Sequence, residues 1–200
     1  MHPLLFLAIW VVMMVAMMFP SVAPMVIGFV RISQNKDTHT RSWGSVAAFV
    51  AGYLVSWTAV GVVALLLQLL FTHFLQGSTS VRALQIIAGA AVIVAGLYQF
   101  TRWKRVCLSH CRTPLSFFLH TWRSGVNGAL EMGTRHGAFC VGCCLGLMLV
   151  LFVTGLMNLA WMAVLSVIIA VEKLTPAGDA AARIAGGAFV LIGGLIAVIS

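Results

Sequence analysis

The side chains best suited to chemistry are thiols and imidazoles gathered in one short stretch. All five cysteines fall between residues 107 and 144. The first cluster, Cys107-Leu-Ser-His110-Cys111, spaces two thiols and an imidazole three and four residues apart, so that they share a face of a helix. The second, His136-Gly-Ala-Phe-Cys140-Val-Gly-Cys143-Cys144, sets His136, Cys140 and either Cys143 or Cys144 along one helical stripe. Together they offer five sulfurs and two imidazoles, enough for a closed four-coordinate site. Soft thiolates select Cu(I), Zn(II) or an iron–sulfur cluster. Cys140-x-x-Cys143 also has a dithiol redox spacing, although the βαβ pattern that usually carries it is missing. Adjacent Cys143 and Cys144 pair only with strain. A plainer alternative is packing, because free cysteine is among the most buried residue types.

Met13, Met14, Met17, Met18 and Met25 form a second sulfur-rich group, and thioethers bind Cu(I) without losing a proton. Met14 faces with Met18, and Met13 with Met17, which predicts a path for a soft ion. Pro20 and Pro24 each remove a backbone donor, so the helix is expected to kink or open there and turn carbonyls toward the bundle interior. Packing by methionine and bending by proline is the alternative. The other ionisable residues read as ordinary surface groups. Glu131 and Arg135 are spaced for a helical ion pair, and Glu172 beside Lys173 is expected to reach water at a helix end. His2, His39, His73 and His120 read as solvated. Gly142-x-x-x-Gly146 and the pairs Gly186-Gly187 and Gly193-Gly194 suit close helix approach.

The elements that must position these groups are long apolar helices. Of the 200 residues, 62% are apolar and 8% charged, against about 45–50% and 25% in soluble domains. Runs long enough to cross a bilayer predict spans near 4–30, 44–71, 83–100, 137–154, 158–173 and 184–200. The last boundary inside the run from His136 is set at Gly155-Leu-Met-Asn158, a turn signal. Residues 101–135 are left as a polar loop carrying the first Cys/His cluster. With six spans, eleven basic residues fall on one face and Arg82 alone on the other, which predicts both termini on the outer, periplasmic side. The fold class expected is therefore all-α, a single polytopic transmembrane bundle in the bacterial inner membrane.

The net charge of +8 sits at span ends, where anionic headgroups lie, and calls for no nucleic acid. Leu4 to Ala23 has a signal-peptide outline, but Pro24 and the length of the run favour a retained span. Phosphate-binding, dinucleotide-binding, serine-elbow and zinc-protease motifs are missing, so an enzyme is not the favoured reading.

Met13-Met14-x-Ala-Met17-Met18-x-Pro20-Ser21, Ala51-Gly52-Tyr53, Gly96-Leu-Tyr98-Gln99, Lys104-x-x-Cys107-Leu-x-His110-Cys111-Arg112, Arg135-His136-Gly137, Gly142-Cys143-Cys144 and Met157-Asn158-Leu-Ala-Trp161 form a set. In this combination the chain resembles the bacterial predicted metal-binding integral membrane proteins. The resemblance runs from the first span through Glu172-Lys173. It implies a metal bound through Cys107, His110, Cys111, His136, Cys143 and Cys144, with the first-span methionines, while Cys140 is less firmly shared.

The expected function is handling of a soft metal, copper ahead of zinc, in transport, storage or delivery to a membrane partner or metallochaperone. A membrane thiol oxidoreductase and a structural or assembly subunit are the alternatives.

Overall fold

Apolar runs of this length close their backbone hydrogen bonds internally, and each becomes a helix. In a computed structural model, which describes residues 2–36, 43–75, 80–155 and 158–199, eight helices are found and no strand among the described residues. They are α1 (Pro3–Lys36), α2 (Trp43–Leu75), α3 (Val81–Tyr98), α4 (Arg102–Arg112), α5 (Pro114–Thr121), α6 (Gly125–Thr154), α7 (Leu159–Leu174) and α8 (Gly178–Ile199). His39, Arg41, Leu156, Met157 and Ser200 lie outside the described residues.

Five helices, α1, α2, α3, α6 and α8, are long and apolar enough to cross a membrane. The remaining expected span is α7, whose 16 residues extend only about 24 Å at 1.5 Å per residue. The turn between α6 and α7 forms where Gly and Asn signalled it. Gly155 takes a positive φ of 97°, and the Asn158 side chain caps α7 by accepting from the backbone N–H groups of Ala160 and Trp161.

The expected polar loop at 101–135 is instead mostly helical. Pro114 opens α5 at a position where its missing N–H costs nothing, and α6 begins at Gly125, a turn and more before the expected span. The charges of that stretch misled because they share one face. Glu131 and Arg135 are exposed, while Ala129, Met132 and Gly133 are buried on the other side. Glu131 pairs with Arg123, Nη1 to Oε2 2.7 Å, and not with Arg135.

Backbone contacts divide the chain into two compact units. The first comprises Met1–Leu65 and Val106–Gly142, the second Leu66–Arg105 and Cys143–Ser200. In the first, glycines bring α2 and α6 backbone to backbone. A β-carbon at position 133 would lie 1.9 Å from the Phe49 carbonyl oxygen, and one at position 52 would lie 2.2 Å from that of Leu130. Ser56 donates to the Thr134 carbonyl at 2.9 Å across the same seam. Trp10 of α1 donates to the Trp57 carbonyl at 3.0 Å, with its indole against Gly61.

In the second unit, α3 and α8 pack through reciprocal glycines. Gly89 meets the Gly193 carbonyl and Gly96 meets that of Gly186, two turns away along both helices, while Gly187 and Gly194 face open space. One glycine of each adjacent pair therefore does the packing, because neighbours on a helix point about 100° apart.

Gly133→Ala is expected to destabilise the chain by about 1–3 kcal/mol or more through overpacking. Gly187→Ala, with nothing near its added carbon, is expected to stay within about 0.5 kcal/mol. Thermal denaturation of the two purified variants checks both.

Candidate metal centre

The second cysteine cluster is built on the buried stripe of α6. Ala129, Met132, His136, Cys140, Cys143, Cys144, Leu147 and Leu151 recur at three- and four-residue steps, and all are buried. That stripe turns Cys140, Cys143 and Cys144 inward together, so both of the adjacent cysteines take part. Their Sγ atoms all lie within 4.8 Å of one another, with Cys143 and Cys144 at 3.5 Å. Because one unbroken helix carries all three, their spacing follows from its own geometry.

A thiolate–metal bond of about 2.3 Å sets three sulfurs around one ion about 4 Å apart. Sulfurs within 4.8 Å of one another are therefore close to the spacing that one ion of this kind would need. None of the five cysteines is in a disulfide, so all the sulfurs are present as thiols. Among the described His, Cys, Asp and Glu residues, this is the one group of three or more whose ligand atoms come this close.

Cys140 has a further neighbour. The Tyr53 hydroxyl lies 3.2 Å from its sulfur, held there by the α2–α6 seam. Either the hydroxyl or the thiol can be the donor in this contact. Tyr53 also stacks on His136 at 6.0 Å, Phe49 stacks on the same imidazole at 6.2 Å, and Phe117 meets it edge-on at 5.5 Å. His136 is thus enclosed by aromatic rings one helical turn before Cys140, and it does not join the three-sulfur group.

The first cluster does not join it either. Cys107 on α4 packs its sulfur against the backbone of α6 at Gly142, where a β-carbon would lie 2.7 Å away. Burial pushes the Cys107 thiol above its ordinary value, so the protonated form prevails at neutral pH. Cys111 is half-buried. His110 stacks flat on Phe139 at 4.3 Å, and its Nδ1 meets the Val106 carbonyl at 2.8 Å.

The methionines Met13, Met14, Met17, Met18 and Met25 are all buried, continuous with Phe6, Trp10, Val22 and Phe29 along one inward stripe of α1. The prolines behave differently from the expectation. Helix α1 runs unbroken through both, and Pro20 and Pro24 lie on its exposed face. The carbonyls that lose their donors, those of Ala16 and Pro20, are therefore on that exposed face and do not point into the bundle.

A second polar group escaped the sequence reading. Lys104 and Glu172 are 1% and 2% exposed and form an ion pair at 2.7 Å, and the Lys104 ammonium also donates to Gln99 Oε1. Glu172 Oε1 and Gln99 Nε2 have no hydrogen-bond partner among the described residues. Glu172 and Lys173, expected to reach water, are both buried. Periodicity carried the signal: Lys104 shares the inward face of α4 with Leu108, and Glu172 that of α7 with Leu165 and Ile169. The pair ties α4 to α7 within the second unit.

The PpoB2 family, described as copper chaperone, matches residues 7–196, and the chain belongs to that family. No curated protein and no solved structure matches it significantly. Family membership and the three-thiol group together support a copper-related, metal-binding protein.

Removing one partner of a buried ion pair leaves a bare charge, so Glu172→Leu or Lys104→Met alone is expected to cost about 3–5 kcal/mol. The double variant Lys104→Met/Glu172→Leu is expected to recover most of that loss. A double-mutant cycle read by thermal denaturation measures both.

Proposed function

We propose that this chain is a membrane-embedded copper chaperone that holds Cu(I) on Cys140, Cys143 and Cys144 of α6 and passes it to a protein partner. The observation that carries the reading is the three buried thiols within 4.8 Å of one another on one helix, in a chain that belongs to a copper chaperone family. Thiolates are soft ligands and favour Cu(I) over harder ions. A site of three sulfurs also leaves a coordination position through which an incoming thiol can take the ion by ligand exchange.

The remaining candidate ligands take supporting roles. Tyr53 steadies the Cys140 thiolate, and His136 is held by its aromatic neighbours close along the same stripe. Cys107 and Cys111 on α4 serve as an outer relay. The inward methionines of α1 extend the sulfur lining without needing any proton to leave.

A membrane location is supported by the five long apolar helices and by the exposure of large apolar side chains along them. Val62, Leu66, Leu70, Leu191, Leu195 and Val198 are all open to the surroundings, an arrangement that water disfavours and hydrocarbon accepts. Six spans with both termini on the outer side follow if α7 crosses, and the basic residues then gather on the cytoplasmic face of an inner membrane. The cysteine clusters would face that side, where thiols stay reduced.

Elemental analysis of the reduced, anaerobically purified chain is expected to find at least one copper per chain. The Cys140→Ser/Cys143→Ser/Cys144→Ser variant is expected to lose it. Zinc instead of copper, or no metal in either chain, would turn the reading toward a structural site or thiol redox chemistry. Tyr53→Phe keeps the ring beside His136 and removes only the hydroxyl, and a Cu(I) affinity about 10–100-fold weaker is expected in competition with a chelator.

A further inference from the structure

A cavity of about 220 Å³ in the first unit takes no part in the three-thiol site. Its lining includes Ser109, His110 and Thr113 of α4 and the segment after it, His120 and Thr121 of α5, and Arg135 of α6. The hydrogen bonds around it decide what it can hold. His110 Nδ1 lies 2.8 Å from the Val106 carbonyl and His120 Nδ1 lies 2.8 Å from that of Ser116. A carbonyl only accepts, so each Nδ1 carries the proton, and in the neutral ring Nε2 is left as a lone pair.

The hydroxyls behave alike. Ser109 donates to the Val106 carbonyl, Thr113 to that of Ser109 and Thr121 to that of Phe117. These protons are committed to the helix backbone, and lone pairs remain. Arg135 presents donors and the Ser116 hydroxyl is uncommitted, but the two imidazoles and these three hydroxyls present lone pairs, which a cation can use. No carboxylate lines it and Arg135 adds a positive charge, which disfavours ions held by charge alone, such as calcium or magnesium. An ion held through imidazole nitrogen fits instead.

An Nδ1–H donated to a backbone carbonyl is the arrangement that fixes the tautomer and aim of metal-ligating histidines. The His110 ring is held further by its flat stack on Phe139, 4.3 Å away with 9° between planes. Imidazole suits copper, zinc and nickel, and among divalent ions copper binds such nitrogens most tightly. We infer that His110 and His120 form a second, imidazole-based copper site through their Nε2 atoms, separate from the three thiols. His120, which reads as a solvated residue in the sequence, becomes a ligand, and His110 belongs to this site and not to the sulfur cluster.

The inference stands independently of the thiol reading, and its test keeps the two apart. The intact chain, its thiols first filled with Cu(I), is titrated with Cu(II) as probe, and the Cys140→Ser/Cys143→Ser/Cys144→Ser chain is titrated in parallel. Pulsed electron paramagnetic resonance counts the imidazoles bound to Cu(II). Two are expected in both chains. His120→Gln is expected to leave one imidazole and weaken binding about tenfold or more, and His110→Gln/His120→Gln to leave none. A spectrum with no imidazole, or one that His120→Gln does not change, overturns the site. Loss of the imidazole signal in the triple-serine chain alone would show that Cu(II) binding by the histidines depends on the sulfur cluster, and it overturns the separation of the two sites.

Discussion

A β-carbon at position 133 would sit 1.9 Å from the carbonyl oxygen of Phe49, a distance no side chain can occupy. The first unit depends on that vacancy. Glycine there lets α6 lie directly on α2, and with the two backbones in contact the next positions along the seam are no longer adjustable. Ser56 reaches the Thr134 carbonyl, Tyr53 reaches the sulfur of Cys140, and Phe49 and Tyr53 bracket the His136 ring. In the proposed membrane setting, packing gains little from hydrophobicity between helices, so small residues and a few directed polar contacts would supply the register.

The metal-binding group divides its requirements between two levels of structure. The mutual spacing of Cys140, Cys143 and Cys144 comes from the pitch of a single helix and needs no tertiary contact. Their surroundings do need it. The hydroxyl beside Cys140 comes from α2, and the edge-on ring beside His136 comes from α5. A chaperone must hold an ion and also release it. Three thiols spaced by one helix would keep their spacing when neighbouring elements shift, whereas the Tyr53 hydroxyl beside Cys140 would move with α2.

Much of this was legible in the residues themselves. Each expected apolar run is helical, but α1 ends six residues beyond the expected 4–30, α6 begins twelve residues before 137 and α8 six before 184; the Gly155 to Asn158 turn lies where its residue types placed it. The inward stripe through His136 and the cysteines followed from three- and four-residue spacing. What was not legible depended on partners distant in the chain. Gly125 to Arg135 carries enough charge to look like loop, and only the buried surface offered by α2 explains why its other face is apolar. Lys104 and Glu172 look like helix-end charges until they are seen to meet. The prolines of α1 illustrate the same limit: their effect on backbone bonding is predictable, but which side of the helix they occupy depends on what the methionines pack against.

Lys104 and Glu172 are separated by 68 residues, which gives their contact a place in time as well as in space. At a synthesis rate of roughly 5–20 residues per second, α4 exists for several seconds before the carboxylate that neutralises its lysine has been made. An ammonium without a counter-charge is costly to bury, so this segment stays hydrated while α5 and α6 are produced. The Lys104 end of α4 gains its counter-charge only once α7 has been made, which places this contact late among those of the second unit.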